Sequence, residues 1–239
     1  MNILKKIFLK IKTETIFLLE HKYGLIKSRD IYSIPKFKIK KLLPRNPVII
    51  DCGSHIGVDS IHFAKLIPSS KIHSFEAAPS IFDKLKNNVK KFKNINCYPL
   101  ALSNENGKAS FFISSGDSDG SSSLLEPSAH LQSHPSVFFS NKIMVDTITL
   151  DDWAFKNNIA SVDLLWLDMQ GFEMQMLQAS SKILKTVKVI HAEVSLIETY
   201  KGVAPYLKFK TWLESVGFQM IEEALPIGTD MGNVLFLRK

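Results

Sequence analysis

The sequence predicts an α/β fold in which a mostly parallel sheet carries helices on both faces and ends in an antiparallel hairpin. Three observations lead there. From residue 48 onward, short apolar runs alternate with amphipathic helical stretches, the rhythm of a parallel sheet with helical crossovers. The first run, Val48-Ile-Ile-Asp-Cys52, feeds a glycine turn with G-x-x-x-G spacing (Gly53 and Gly57) that opens a helix. The last two runs flank a Pro/Gly-rich turn, as a hairpin requires.

Each element has its own local reason. Pro44 and Pro47 punctuate the entry to the first strand, Val48–Cys52. A helix over Val58–Leu66 stops at Pro68, and Lys71–Phe75 is the second strand. Pro79 suits the first position of a helix, whose apolar face is Phe82, Leu85, Val89 and Phe92. Residues 95–99 form a third strand. The rhythm then breaks. Residues 108–113 read as an extra strand followed by the serine-rich run 114–123, and a loop that long is functional or disordered. Residues 143–147 are another strand, and Thr149 with Asp152 makes a capping box for the helix containing Trp153.

Alternation resumes with a strand over 162–167 that ends at Asp168, then a helix over about 172–179. A strand over 187–192 ends at Glu193, and Tyr206, Phe209, Leu213 and Val216 form the buried face of the next helix. Residues 218–222 and 233–237 are the closing hairpin. There is no internal repeat.

With 239 residues, 45% of them hydrophobic, the chain can bury one sizeable core. Its net charge of +7 is unevenly placed. Residues 1–43 hold eleven Lys or Arg against three acids, while the remainder holds 19 basic and 20 acidic residues. The division is therefore a basic arm, 1–43, and a near-neutral domain, 44–239. A near-neutral body argues against nucleic acid as partner. Leu4, Ile7, Phe8 and Ile11 share one face of a basic helix in the arm, with two readings. One is peripheral contact of residues 1–20 with an anionic membrane, at its inner face; the other is a helix covering the body or a homodimer partner. The arm is too broken by lysines to be a signal peptide or a membrane span. Cys52 and Cys97 fall in apolar runs, which reads as buried thiols in a reducing, cytoplasmic setting. With no C-x-x-C or H-E-x-x-H spacing, no metal is expected.

Acids end four of the strands: Asp51, Glu76, Asp168 and Glu193. That edge of an open α/β sheet is where ligands bind. The glycine turn is not the G-x-G-x-x-G that cradles a pyrophosphate, so it suits a nucleoside cofactor without phosphates, S-adenosyl-L-methionine. Gly53 and Gly57 allow close backbone approach, and Glu76 would accept the ribose hydroxyls, with Ala77 beside it. Methyl transfer needs in-line alignment and a home for the acceptor's proton. Asp168 reads as base or orienting group, or as a cap on the next helix. Glu173 reads as facing the acceptor or as favouring the helix N-terminus. His55 reads as a cofactor contact, a base or a surface group. His191 and Glu193 share a strand face, where they would pair, with one reaching the acceptor. Trp166 reads as core. The serine-rich run reads as a sugar-binding or closing loop, or as solvated linker.

In these residues the sequence resembles the FkbM family of methyltransferases. The matching segments are Asp51-Cys-Gly-Ser-His-Ile-Gly57, Phe75-Glu-Ala-Ala-Pro79 and Pro99-Leu-Ala-Leu-Ser-Asn-Glu-Asn-Gly107. They continue with Ser121-Ser-Ser-Leu-Leu125, Val145-Asp-Thr-Ile-Thr-Leu-Asp-Asp152 and Leu167-Asp-Met-Gln-Gly-Phe-Glu173 with Leu177. The order is the family's, and the basic arm lies outside the match. The resemblance implies a Rossmann-like class I methyltransferase fold with a seven-stranded sheet and, most often, O-methylation of a small molecule, sugar or glycan. It implies that Asp51, Gly53 and Gly57 surround the cofactor's methionine part and that Glu76 takes the ribose. Ala101 and Leu102 would border the adenine, with Asp168 and Glu173 as the acidic pair. One departure stands out. Many members read K-I-D-x-E-G where this chain has Trp166-Leu-Asp-Met-Gln170-Gly.

The expected function is thus methyl transfer to a sugar hydroxyl in a glycan, glycolipid or other small molecule. Two other classes compete: a non-catalytic module held at a surface by the arm, and a nucleic-acid methyltransferase. The body lacks the N/D-P-P-Y-like segment and the interleaved aromatics that the last would carry.

Overall fold

The computed structural model describes residues 33–239. The main sheet contains β1 (Val48–Cys52), β2 (Lys71–Phe75), β3 (Ile95–Tyr98), β7 (Leu164–Leu167), β8 (Val189–Ser195), β9 (Phe218–Ala224) and β10 (Met231–Arg238). Its order is β3-β2-β1-β7-β8-β10-β9. The first five run parallel; β10 inserts antiparallel between β8 and β9. A smaller sheet, β4 (Ala101–Leu102), β6 (Val137–Ile148) and β5 (Gly107–Gly116), stands between the two halves of the chain. The helices are α1 (Lys36–Lys40), α2 (Val58–Leu66), α3 (Pro79–Val89), α4 (His130–Ser133) and α5 (Leu150–Lys156), followed by α6 (Glu173–Gln178), α7 (Ser181–Leu184) and α8 (Tyr206–Ser215).

Period-2 alternation sorts the strand residues onto two cores. Ile49, Ile72, Leu164, Trp166 and Val189 meet Phe63 of α2 and Leu85 of α3 on one face. Ile50, Leu165, Leu167, Ile190 and Phe236 meet Trp153 of α5, Leu177 of α6 and Leu213 of α8 on the other. Each large apolar side chain so buried is worth about 1.5–3 kcal/mol relative to exposure. Interior strand β10 buries Val234, Leu235 and Phe236 in succession, because both its faces are covered. Edge strand β9 alternates buried and open positions.

Local chemistry sets the ends. Pro68 biases Ile67 out of the helical region (ψ 79°), so α2 ends there, and Pro79 occupies the first turn of α3. Thr149 caps α5 by accepting from Asp152 N–H at 3.2 Å. The second arm of the expected box is different. Asn106 Oδ1 accepts from Thr149 N–H at 2.9 Å, and its amide donates to Asp152, so an asparagine from the preceding loop completes the cap.

The structure adds detail to two readings and corrects one. On the arm side of residue 43, Ile34 and Ile39 are fully buried against Ile49 and Phe63. Lys36 pairs with Asp59 at 2.5 Å, which binds this end of the arm to the first turn of α2. The serine-rich run is tied into the fold at both ends: β5 extends to Gly116, and Ser123 pairs back with Phe112 through N–H···O bonds of 2.8 and 3.1 Å. Val216 is 37% exposed, since it caps the end of α8 instead of continuing its buried face. The amphipathic stretch near residues 4–11 and the membrane contact read for 1–20 lie outside the described residues. Among the described residues, no helix is long and apolar enough to cross a membrane.

Candidate active site

The carboxyl ends of β1, β2 and β7 meet at one turn. Gly53 and Ser54 donate to Phe75 O (3.1 and 2.8 Å), Asp168 N–H donates to Cys52 O at 3.0 Å, and Glu76 N–H donates to Tyr98 O at 3.1 Å. Gly53 has φ +81°, and a Cβ there would stand 1.9 Å from Asp168 O. That glycine makes room for the neighbouring strand's backbone. Gly57, at φ +86°, has a different neighbour: a Cβ would meet Leu85 and Val89 of α3 at 2.7 and 3.0 Å. Gly57 therefore serves helix packing and does not face the cleft.

Over this turn opens a cleft whose lining includes Gly53, His55, Glu76, Ala77, Ala101, Leu102 and Asp168. All seven were candidates from sequence. Glu76 is buried and anchored: Oε2 accepts from His55 N–H at 2.9 Å and Oε1 from Ala78 N–H at 2.8 Å. Each oxygen keeps a further lone pair for a ligand hydroxyl. Burial pushes its carboxyl up against these bonds and the pull of His55. Behind the cleft, Phe75 and Tyr98 stack at 4.9 Å, each edge-on to Trp153, and hold the apolar end of the wall rigid.

Other candidates lie elsewhere. Asp51 points beneath the turn, not into the cleft: Ser60 Oγ donates to it at 2.5 Å, and burial with the charge of Asp59 raises its carboxyl to about 7. Glu173 also faces inward. Its Oε1 accepts from Met169 N–H (2.8 Å) and Gly171 N–H (3.3 Å), so it ties the loop before α6, and burial raises it to about 7. His191 does not pair with Glu193. It is buried against Trp166, and burial with nearby Lys36 holds it neutral, well below the ordinary histidine range. Trp166 is core, as its strand pattern implied.

Asp168 and Glu193 do come together. Gln170 Nε2 donates to Asp168 Oδ1 and to Glu193 Oε2, both at 2.8 Å. Gln170 is buried in the left-handed region at φ +52°, a conformation costing a non-glycine residue roughly 1–2 kcal/mol. The Tyr200 hydroxyl lies 2.9 Å from Gln170 Oε1 and 2.7 Å from Ser121 O. Burial raises both carboxyls; the charge of Asp168 pushes Glu193 up as well, whereas hydrogen bonds from Gln170 and from the Glu193 side chain pull Asp168 back down.

The serine-rich loop completes the cleft. Asp119, Gly120, Ser122 and Leu124 line it. Asp119 accepts from Lys84 Nζ at 3.0 Å and is 2.7 Å from His55 Nε2, so His55 anchors the loop. No sequence signal singled out Asp119. Phe172, Met169 and Phe111 also line the cleft without having been assigned a role. Two of them sit inside the Asp168 segment already marked, and proximity to it was the available signal.

The donor set fits S-adenosylmethionine. Among the described residues, no Lys or Arg lines the cleft, which leaves phosphates without a counter-charge. Its acids suit ribose hydroxyls and a sulfonium. No group of three or more His, Cys, Asp or Glu is placed among the described residues to hold a metal ion.

A family model for the methyltransferase FkbM domain matches residues 51–220. The chain belongs to the FkbM methyltransferase family. S-adenosyl-L-methionine is the cofactor of this FkbM methyltransferase. The chain is 30% identical over 223 residues to the 2-O-methyltransferase NoeI of Sinorhizobium fredii, covering 91% of this chain and 90% of the relative. Among solved structures it resembles methyltransferase FkbM from Methylobacillus flagellatus, with TM-score 0.54 and 11% identity. That match covers 92% of this chain and 47% of the other. It also resembles the Methanococcus jannaschii fibrillarin pre-rRNA processing protein, with TM-score 0.51, 14% identity and coverage of 82% and 68%. Both likenesses show the fold alone.

Proposed function

We propose that this FkbM methyltransferase methylates a hydroxyl of a saccharide, in a glycan, glycolipid or other small molecule, with Asp168 receiving the hydroxyl proton. One observation carries the reading: Asp168 lines the cleft beside the cofactor turn, with burial raising its carboxyl above the ordinary carboxylate range. A base is most effective when its pKa lies near the working pH. The relative named as a 2-O-methyltransferase supports oxygen as the methylated atom.

When bound, S-adenosylmethionine supplies a methyl group activated on a sulfonium. The chain's own residues do the rest. Glu76 and the alanine-lined wall fix the nucleoside end, and Gly53 lets the loop bearing Asp168 approach the turn. Met169, Phe172 and Leu124 keep water from the acceptor side. Asp168 takes the proton as the new O–C bond forms.

The test supplies labelled S-adenosylmethionine and a panel of methyl glycosides, glycolipid extract, RNA and protein to the full chain. Label in the glycoside or glycolipid samples, lost in Asp168→Asn with S-adenosylhomocysteine binding retained, is the expected result. Label confined to RNA or protein, or undiminished transfer by Asp168→Asn, overturns the reading.

A further inference from the structure

Every polar atom of the Gln170 side chain is committed. Its two Nε2 protons go to two different carboxylates at 2.8 Å, and its Oε1 faces the Tyr200 hydroxyl at 2.9 Å. The backbone is held too, since Ser123 Oγ donates to Gln170 O at 2.8 Å. Flipping the amide would set an acceptor oxygen against two acceptor carboxylates, so the Tyr200 contact fixes which way it points. The resemblance places a glutamate at this position in many members, and a glutamate has no second proton with which to bridge both acids.

We propose that Gln170 is a positioning residue that holds Asp168 and Glu193 as one proton-sharing pair, with Glu193 carrying the proton and Asp168 open to receive the acceptor's. The inference rests on the O-methyl transfer reading and deepens it. The surroundings favour one proton between the two acids. Asp59 from the start of α2 and Glu76 beyond β2 add negative charge, and Asp51 from β1 and Glu173 from α6 join them as they ionise; Tyr200 is neutral, while His55 and the Gln170 hydrogen bonds oppose. Asp168 lines the cleft and Glu193 stands behind it on Gln170, so the oxygen that meets the acceptor belongs to Asp168 and the shared proton's place is on Glu193.

The proton ledger closes. The acceptor's O–H bond breaks and an O–H bond forms on Asp168 while oxygen bonds the methyl carbon. The electron pair of the broken carbon–sulfur bond stays on sulfur. The pair then holds two protons and returns one to water.

The experiment is an NMR titration of the full chain with S-adenosylhomocysteine bound, carrying ¹³C-carboxyl Asp and Glu and ¹⁵N-Gln side chains. Glu193→Gln and Asp168→Asn assign the two carboxyls. One carboxyl still protonated at pH 7, with the Gln170 amide protons moving through the same midpoint as Asp168, is expected. In Gln170→Met the Asp168 midpoint rises by a unit or more, a tenfold change in proton affinity, while S-adenosylhomocysteine affinity stays within about twofold. An unchanged Asp168 midpoint in Gln170→Met, or Gln170 amide signals flat across the wild-type titration, overturns the proposal. If Gln170→Met does not fold, the wild-type titration alone decides. No acceptor is needed, so a panel without label sinks the functional reading while this titration still judges the pair.

Discussion

The imidazole of His191 lies flat on the indole of Trp166, ring centroids 3.6 Å apart and planes 2° from parallel. Phe63 meets Trp166 edge-on at 5.3 Å, and Lys36 Nζ stands 4.2 Å from the Trp166 ring centroid. Trp166 thus occupies the position where the family resemblance expects a lysine, and Lys36, from outside the parallel sheet, brings an ammonium to the same place. A lysine at 166 would point toward α2, away from the cleft.

Trp166→Lys should therefore cost stability instead of restoring a base. Large-to-small changes of buried Trp cost about 3–5 kcal/mol, and a second ammonium beside Lys36 adds repulsion. Urea denaturation should show a loss of at least about 3 kcal/mol, most of it recovered in Trp166→Phe. A stable Trp166→Lys variant would contradict this packing account.

Buried acids give the fold a pH dependence of definite sign. Asp51 rises from 3.8 to about 7 and Glu173 from 4.5 to about 7, burial being the main cause. Above about pH 4 the unfolded chain releases these protons while the folded chain keeps them, so stability falls as pH rises toward 7. Each group contributes a slope of about 1.4 kcal/mol per pH unit within that window. Asp51→Asn keeps a partner for Ser60 and should flatten the profile measured between pH 4.5 and 7 by that amount.

Two glycines with positive φ separate backbone strain from collision. Gly202→Ala (φ +76°, nothing within 4 Å of a Cβ) should cost only the left-handed penalty, about 1–2 kcal/mol. Gly53→Ala should cost several kcal/mol more, because Asp168 O stands 1.9 Å from the new Cβ. Equal losses in denaturant titrations would show that the two strand ends can part freely.

Glu76 and Asp119 should behave oppositely in cofactor binding. Glu76→Gln removes a buried acceptor that orders the turn, and S-adenosylhomocysteine affinity should fall tenfold or more, about 1.4 kcal/mol, independently of salt. Asp119→Ala removes an exposed pair with Lys84 and His55, worth about 0–1 kcal/mol. Its effect should stay within about fivefold and vanish at 0.5 M salt, where charges are screened over roughly 4 Å. Calorimetric titration at two salt concentrations distinguishes them.

Much of the parallel sheet was legible because Val48–Cys52, Lys71–Phe75 and the later apolar runs are bounded by glycine, proline or acid. Glu76 was legible for the same reason: a strand end followed by Ala77, Ala78 and Pro79 leaves few places for its carboxylate. The direction in which Asp51 and Glu173 turn was not legible. Strand period says which face a residue is on, but the competing partners, Ser60 and the loop amides of Met169 and Gly171, come from tertiary packing. The serine-rich loop was ambiguous because its place depends on Ser123 pairing back to Phe112 and on Asp119 finding Lys84, 35 residues away.

The wall of the cleft contributed by β4, β5 and the loop before Ser123 belongs to a sheet that shares no ladder with β1, β2 and β7. Two kinds of constraint therefore meet at the cleft. The strands that seat the cofactor must stay fixed in register, since a single added carbon at Gly53 collides with its neighbour. The loop between β5 and β6 reaches them through single contacts instead: Asp119 with His55, Ser123 Oγ with Gln170 O, and Ser121 O with the Tyr200 hydroxyl. The cleft thus joins a wall fixed by backbone register to one held by a few side-chain contacts.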